Sequence, residues 1–314
     1  FIGIIIVSSM SLFVARLSII KPSKTIKRFS KESFISINNI FFGALIFSVM
    51  LGVTYPLIYE FLFDQKISVG APFYNAIFIP MIVLACIFMF FSIDSKWSRS
   101  FNFHFFIAPI SLSVISSIIT TLLISYIFDT NNLAILISLF AGFIVVYRYV
   151  IEIMNSFFLK KYLNPFSAIA HFALGLLIIS ISFNSLLSSE RALNIKINEF
   201  EQYKDLKIYF KDIKVLKKPN HDSIEATFIL EDQKGRIFDL NPEKRRYFTR
   251  GQITTETAIF IMPLKDIYMT IGDQLDDGSW IVNIQINYLI RWIWFSAGLM
   301  AFAGMVLMFS KKNI

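Results

Sequence analysis

Histidine, cysteine and charge are scarce in this sequence, and each shortage excludes a class of protein. Three histidines and one cysteine among 314 residues are too few for a zinc cluster held by thiolates, and a single thiol cannot close an internal disulfide. Charged residues make up 17% of the chain, whereas hydrophobic residues make up 55% and the mean hydropathy is +0.62. This composition is too apolar for an ordinary water-soluble globule. We therefore interpret the chain as an integral membrane protein, in which Cys86 serves as a packing residue.

Patterns of side-chain catalysis are also missing. The sequence contains no paired carboxylates, no nucleophile next to a base and no phosphate-binding loop, so we assign no catalytic residue. The first residue is Phe1, and the first apolar run has neither a basic leader nor a small-residue cleavage site. We expect this amino terminus to be internal to a longer sequence.

Apolar runs of bilayer length recur along the chain. A spanning helix needs about 20 residues, and the qualifying runs lie near 2–20, 37–59, 76–93, 103–128, 133–158, 166–187 and 288–309. The sequence therefore predicts a polytopic α-helical membrane protein with about seven spans. About six of them would form a bundle over residues 1–187, and residues 288–314 would form the final span and a short cytoplasmic tail.

The polar block at 188–287 has a different period. Apolar and polar residues alternate in six segments: 206–215, 223–231, 236–240, 245–249, 267–271 and 279–286. Alternation at period two, interrupted by Gly, Pro and Asn turns, is typical of β-strands. We predict a β-rich extracytoplasmic domain, either a small barrel or a sandwich, before the last helix.

The basic residues indicate the orientation. From Ser188 to Tyr288 the chain has 15 Lys and Arg and 16 Asp and Glu, which leaves 15 basic and 6 acidic residues for the apolar part. Lysines and arginines collect in four connections at 21–31, 96–99, 160–161 and 311–312. By the positive-inside rule these face the cytoplasm, so the amino terminus and the polar block lie outside. The basic excess is thus a topology signal and does not indicate nucleic-acid binding.

His171 is the most informative side chain of the apolar part. It lies near the start of the run that leads into the polar block, and an ionisable residue within a span is a candidate functional site. It could be an axial haem ligand or a hydrogen-bonding packing residue, and position alone leaves both readings open. His104 is better explained as an interfacial residue, and His221 as a solvated turn residue.

Four other segments carry weaker signals. The connection Ile67–Asn75 has few charges and contains Gly70 and Pro72, so it could be a rigid turn or could lie across the bundle and contact a flat apolar ligand. Turn chemistry explains Thr254–Glu256 and Asp276–Gly278. Arg291–Trp294 is typical of an interfacial anchor.

Six motifs in this order resemble the carboxy-terminal half of the CcmF family, the haem lyases of cytochrome c biogenesis. They are ISVGAPFYN (67–75), AH with LG (170–175), NPEKR (241–245), TTETAI (254–259), LDDGSW (275–280) and IRWIW (290–294). The resemblance covers essentially the whole chain. The family's tryptophan-rich haem-handling loop, its two periplasmic histidines and its partner transmembrane histidine are absent from this sequence.

The resemblance implies a role. CcmF-type proteins receive haem from a periplasmic haem chaperone and promote its thioether attachment to the Cys-x-x-Cys-His motif of apocytochrome c, with a membrane haem b as reductant. It implies that His171 is an axial ligand of the haem b iron. Ser68, Gly70, Pro72, Phe73 and Asn75 would form a loop that faces a partner or haem.

The resemblance also implies partners and a location. The partners would be the haem chaperone, apocytochrome c with its thiol-handling and chaperone subunits, the amino-terminal half of the same protein, and the membrane, but no nucleic acid. The location would be a bacterial inner membrane with the large domain in the periplasm, or the mitochondrial inner membrane. The chain alone should not perform ligation. A small-solute permease and a cofactor-free assembly scaffold are the alternatives.

Overall fold

The computed structural model describes residues 2–19, 26–27, 29–93, 95, 97, 107–159, 165–249 and 251–309. Contacts divide the chain into two compact units, Phe1–Ser111 and Leu112–Ile314. The first unit contains the first three helices and the start of the fourth, and the second contains the rest of the fourth helix, the later helices and all the strands described below. His104 and the lysines at 21, 24, 96, 160, 161, 311 and 312 lie outside the described residues, so the predicted orientation stays a prediction.

Seven helices occur in the described part of the chain: α1 Ile2–Arg16, α2 Lys31–Phe63, α3 Ala71–Ser92, α4 Ile107–Ile127, α5 Leu133–Leu159, α6 Pro165–Leu187 and α7 Ile290–Phe309. Five of them, α2 to α6, are long and apolar enough to cross a membrane. The prediction of about seven spans was therefore too high by this measure. The α1 helix has 15 residues, about 22 Å at 1.5 Å per residue, and α7 is apolar over a shorter described stretch, Ile290–Val306.

The α2 helix has well-defined ends in the first unit. Its N-cap, Ser30, accepts a hydrogen bond from the backbone N–H of Ser33, and Asp64 ends the helix in the left-handed region at φ 53°. Apolar side chains such as Ile46 and Phe61 are 70% and 88% exposed. Such large exposed apolar surface on a helix of this length suits contact with lipid.

The polar block folds into ten strands. They are β1 Ser189–Ile195, β2 Phe200–Tyr203, β3 Leu206–Lys217, β4 His221–Asp232, β5 Ile237–Leu240, β6 Glu243–Tyr247, β7 Ile253–Glu256, β8 Ala258–Ile261, β9 Lys265–Gln274 and β10 Trp280–Tyr288. The six strands predicted from alternation correspond to β3, β4, β5, β6, β9 and β10. Alternation failed to identify β1, β2, β7 and β8, which have four to seven residues; β8 is apolar throughout, so it shows no alternation.

These strands form two sheets that pack as a sandwich. One has the order β1-β10-β9-β8, and the other has the order β2-β3-β4-β6-β7 with β5 on β4. The inner faces share one core, in which Phe210, Phe228, Met269 and Ile284 are fully buried. The Phe210 and Phe228 rings stack at 4.4 Å between centroids. A sandwich is one of the two forms that the sequence allowed.

Hydrogen bonds join the sandwich to the helices on either side of it. The Asn184 side-chain amide donates to the Tyr288 carbonyl at 2.7 Å, and the Tyr288 N–H donates to the Ser188 hydroxyl at 3.0 Å. Arg291 lies 3.3 Å from the buried carboxylate of Asp266, and the Trp292 indole donates to the Pro263 carbonyl. Arg291 and Trp292 thus bind the sandwich directly, which corrects their interpretation as a membrane anchor alone.

An ion-pair cluster lies on the larger sheet. The Arg245 Nε donates to a Glu243 carboxylate oxygen at 2.9 Å, and Arg245 also lies 3.5 Å from Glu256. The hydrogen bond from Arg245 is the main reason that the pKa of Glu243 falls below its ordinary value. Because this pKa is lower in the folded state, the pair stabilises the fold at neutral pH, and the stabilisation is lost as pH falls below about 4.3.

We therefore expect Arg245→Gln to lower the stability of the sandwich at pH 7. The difference from the wild type should shrink as pH falls from about 4.3, because protonated Glu243 no longer gains from the arginine. Thermal unfolding at pH 7 and at lower pH would measure this, with Arg191→Gln as the control at an exposed arginine of β1. A deficit that stays constant with pH would contradict the electrostatic explanation.

Candidate functional site

Two glycines set the distance between α5 and α6. A Cβ placed on Gly142 would lie 2.7 Å from the Ile179 side chain and 3.1 Å from the Gly175 carbonyl oxygen, and a Cβ on Gly175 would lie 3.0 Å from the Gly142 carbonyl oxygen. Only hydrogen fits at these positions. Small residues that let backbones approach are the usual basis of helix packing in membranes, where apolar side chains gain little from leaving lipid.

The close approach brings Tyr149 against His171. Tyr149 lies seven residues after Gly142, and His171 lies four residues before Gly175, so each shares a helix face with its glycine. Their rings stack at 5.0 Å between centroids with planes 6° apart. Tyr149 is 5% exposed. The phenol ring therefore fixes the plane of the imidazole ring.

A backbone carbonyl fixes the tautomer of His171. The Nδ1 atom lies 2.7 Å from the carbonyl oxygen of Ser167, one turn earlier in α6. A carbonyl can only accept, so Nδ1 carries the hydrogen, and in the neutral ring the lone pair is on Nε2. A metal-bound histidine usually has this arrangement, with one nitrogen on the metal and the other donating to a carbonyl.

A buried ion pair lies on α5, the helix that carries Tyr149. Arg148 and Glu152 are one turn apart on α5, with 2.8 Å between Nη1 and Oε1 and side chains 0% and 3% exposed. Removing two charges from water is costly unless they pair closely, and charged groups inside spans usually mark functional regions. The pairing of these two residues is a finding of the structure and was not predicted from the sequence.

His171, the one candidate iron ligand among the described residues of this site, therefore has the chemistry that a haem ligand needs. His171 is half-buried, lies within a span and presents Nε2 as the nitrogen with the lone pair. Among the described residues, no group of three His, Cys, Asp or Glu could hold a bare metal ion. A haem iron needs only axial ligands from the protein, because its porphyrin supplies the other four. Iron ligation by His171 stays a prediction.

Only the first part of the predicted loop at 67–75 is a loop in the structure, because α3 begins at Ala71. Gly70 is the N-cap of α3, Pro72 lies at the start of that helix, and Phe73 and Asn75 lie in its first turn. Proline suits this position because the first helical N–H groups have no acceptor inside the helix. Ser68 and Gly70 remain in extended chain. The prediction of a loop through Asn75 was therefore wrong in its second half.

His221 also differs from its prediction as a solvated turn residue. It is the first residue of β4 and is 6% exposed, with Nδ1 2.7 Å from the Asn220 side-chain oxygen and its ring 5.1 Å from that of Tyr247. The tyrosine on the neighbouring strand covers it, which the local sequence did not reveal. Thr254–Glu256 lies in β7 and not in a turn, whereas Asp277 does form a turn by accepting hydrogen bonds from Ser279.

Comparisons with known proteins give consistent matches. The family model described as the CcmF C-terminal beta-sandwich matches residues 186–287. The cytochrome c-type biogenesis proteins CcmF of Escherichia coli and Pseudomonas fluorescens are 27% and 25% identical over 99% of this chain, and the match covers 49% and 48% of their own lengths. The chain thus spans about half the length of these curated relatives.

A solved structure shares the fold. The structure titled cytochrome c heme lyase CcmF is similar to this chain with a TM-score of 0.68 over 89% of its residues, which is 46% of the solved chain. Sequence identity over that match is 16%. This match confirms the arrangement of apolar helices followed by a β-sandwich.

The glycine contact leads to a prediction about stability. We expect Gly142→Ala to lower stability by about 1–3 kcal/mol, as overpacking typically does, because the new methyl meets backbone atoms of α6. Gly298→Ala in α7 is the matched control, since a Cβ there meets nothing within 4 Å. Thermal unfolding in detergent compares the two variants. Equal stability would show that α5 and α6 can separate without cost.

Proposed function

We propose that the chain belongs to the CcmF family and forms part of a cytochrome c haem lyase, because it matches the carboxy-terminal half of CcmF proteins along its whole length. In this proposal it contributes a ligand for a membrane haem b and a periplasmic domain for haem attachment. The relatives are named for cytochrome c biogenesis. Since the chain spans about half of their length, ligation would also require the remaining part of the protein.

The observation that carries the proposal is the fixed tautomer of His171. Its Nδ1 donates to the Ser167 carbonyl, so in the neutral ring Nε2 has the lone pair that would ligate iron. Tyr149 covers a ring face and restrains rotation. A ligand held in this way needs no rearrangement when iron binds, and a strong Nδ1 hydrogen bond raises its basicity.

The cofactor would be haem b, which would supply the electron that keeps the cargo haem iron reduced. This chain's own residues would hold and orient it. Arg148 and Glu152 place a neutral ion pair next to Tyr149 in the apolar interior. A buried charge pair of this kind adds a local dipole without adding net charge, and such fields tune the electronics of a bound cofactor.

The sandwich is proposed to be the periplasmic part of the site. Its two ends continue into α6 and α7, so it stays at the membrane surface, where a haem chaperone would deliver haem and apocytochrome c with its thiol-handling and chaperone subunits would present a Cys-x-x-Cys-His motif. Attachment of a thiol to a vinyl group depends on orientation of both reactants. We place the chain in a bacterial inner membrane on this basis.

The visible absorption spectrum of the membrane protein, purified together with its amino-terminal region, tests the proposal. A b-type spectrum is expected for the wild type, and its haem content should fall to a small fraction in His171→Ala. His221→Gln is the control, because His221 belongs to the sandwich. Membrane insertion should be unchanged, since one side chain in a long apolar run alters insertion little.

Two results would contradict the proposal. Unaltered haem content in His171→Ala would remove this residue as a ligand. A well-folded wild-type protein without haem would favour the scaffold alternative, in which the sandwich binds partners and the membrane part carries no cofactor.

Gly70 tests the segment that comes before α3. Gly70 has φ −100° and ψ −176°, a conformation open to any residue, and a Cβ there would make only an ordinary contact at 3.6 Å with Pro72. We therefore expect Gly70→Trp to fold like the wild type but to reduce cytochrome c maturation several-fold, measured by haem staining of the product. Full maturation would show that the segment is only a connection.

A further inference from the structure

The turn between β8 and β9 lies directly against the first turn of α7. We call it the basal turn, residues 262–264. The Leu289 N–H donates to the Leu264 carbonyl at 2.9 Å, and the Trp292 indole donates to the Pro263 carbonyl at 3.2 Å. Two hydrogen bonds thus hold the basal turn at the point where the chain enters α7.

The same point lies at the end of a membrane span. The α6 helix is long and apolar enough to cross a membrane over Phe166–Leu187. Near the end of that span, the Asn184 side-chain amide donates to the Tyr288 carbonyl at 2.7 Å, and the next residue, Leu289, binds the basal turn. The basal turn therefore lies level with the end of α6, where the hydrocarbon core of a bilayer gives way to its headgroups.

The backbone of Leu289 fixes this arrangement. Leu289 has φ 55°, a left-handed conformation that is uncommon for residues other than glycine, asparagine and aspartate. Its N–H binds the basal turn, and its carbonyl accepts from the N–H groups of Trp292 and Ile293 at 2.9 and 3.2 Å. Leu289 thus turns the chain sharply from β10 into α7 and keeps the basal turn beside the first turn of that helix.

Apolar side chains around the basal turn are exposed. Leu264 is 60% exposed, Ile261 at the end of β8 is 51% exposed, and Trp292 is 39% exposed, whereas Met262 is buried in the sandwich core. A single exposed leucine is ordinary on a protein surface. This group, however, lies at the level of a bilayer that tryptophan side chains prefer, and contact with lipid would remove its apolar surface from water.

Two cations lie next to this apolar group. The Lys265 ammonium follows the basal turn and lies 5.9 Å from the centroid of the Tyr288 ring. Arg291 lies 3.3 Å from the carboxylate of Asp266, which is opposite Ile261 in the strand register. The Arg291 side chain is 48% exposed, and a guanidinium has several N–H donors, so it can bind a phosphate as well as Asp266. Apolar side chains with lysine and arginine beside them are typical of a surface that lies on a membrane.

The exposed apolar surface continues along α7. Trp294 and Phe295 are 74% and 56% exposed, and Trp292 binds the basal turn itself. The α7 helix is apolar over Ile290–Val306, and exposed apolar surface of this kind suits contact with lipid. A lipid surface fits the basal turn better than a protein partner does, because one bilayer would cover both the turn and the helix without interruption.

We propose that the basal turn rests in the headgroup layer of the membrane that α6 crosses. Leu264 and Ile261 contact the acyl chains there, and Lys265 and Arg291 lie beside lipid phosphates. The sandwich then has a third attachment to the membrane besides its two chain connections, and this contact limits its tilt. The inference goes beyond the proposed function, since it does not depend on haem at His171.

Fluorescence quenching in nanodiscs of phosphatidylcholine tests the inference. The chain, purified together with its amino-terminal region in a cysteine-free background that includes Cys86→Ala, receives Leu264→Cys and an environment-sensitive nitrobenzoxadiazole label. Val215→Cys is the matched control, because Val215 is 68% exposed and lines a cleft with Trp280. Trp280 is at the far end of β10, a strand of 9 residues, and so lies about 27 Å from Tyr288.

We expect the label at position 264 to emit at shorter wavelength than the label at position 215. A phosphatidylcholine that carries a nitroxide near its headgroup should quench about half of the emission at position 264, as expected for a group at the headgroup boundary. Iodide in the water should quench the label at position 215 more strongly. Equal iodide quenching at both positions would show that the turn lies in water, and protection of position 264 from both quenchers would show that protein covers it. Either result would overturn the inference.

Leu264→Asp provides a second test, with the label placed at Ile261→Cys in the same background. A carboxylate on the turn disfavours entry into lipid, so quenching by the nitroxide lipid should fall about twofold. Val215→Asp should leave this quenching unchanged. Equal quenching in Leu264→Asp and Val215→Asp would contradict the inference. Because Leu264 is exposed, its variant should fold like the wild type, and since the quenching readout needs no haem, its outcome is separate from that of the proposed function.

Discussion

The structure depends on the contact between Gly142 and Gly175. A helix pair in lipid gains little from burying apolar side chains, so the two helices must approach closely enough for backbone contacts to hold them. A Cβ added to either glycine would lie about 3 Å from the carbonyl oxygen of the other. This approach places Tyr149 on His171 and packs Leu139 with Ile179 in a small buried cluster. The geometry of the histidine therefore follows from two residues without side chains.

The second unit is continuous from this helix pair to the sandwich. The α6 helix carries His171 and leads directly into β1, and β10 leads directly into α7. Asn184 and Ser188 bond the end of β10 to the end of α6. His171 and the sandwich thus lie on one continuous stretch of chain. In the proposed haem lyase, this continuity would keep haem at His171 close to the domain that receives the partners.

The sequence was sufficient for some of these features and insufficient for others, for physical reasons. Long strands such as β4 and β10 bury one face and so alternate clearly, whereas β7 has only four residues and gave no pattern. His171 was recognisable because a polar ring is rare in an apolar run. The pairing of Tyr149 with His171 was not, since it depends on a contact between two helices. His221 was misassigned because it is covered by a tyrosine of β6, a strand that is adjacent in the sheet but distant in sequence. The segment from Ala71 to Asn75 was predicted as loop, although proline is favourable in a first helical turn.

The attachment of the sandwich has a mechanical consequence. The chain enters the sandwich through β1 and leaves it through β10, which are adjacent strands of one sheet, and β10 extends about 27 Å from the helices. A rotation of α6 against α7 by a tenth of a radian would displace the far tip by roughly 3 Å, from the same length. The far end of the sandwich would therefore amplify small movements of the helices. A force applied there would act on the end of α6, the helix that carries His171.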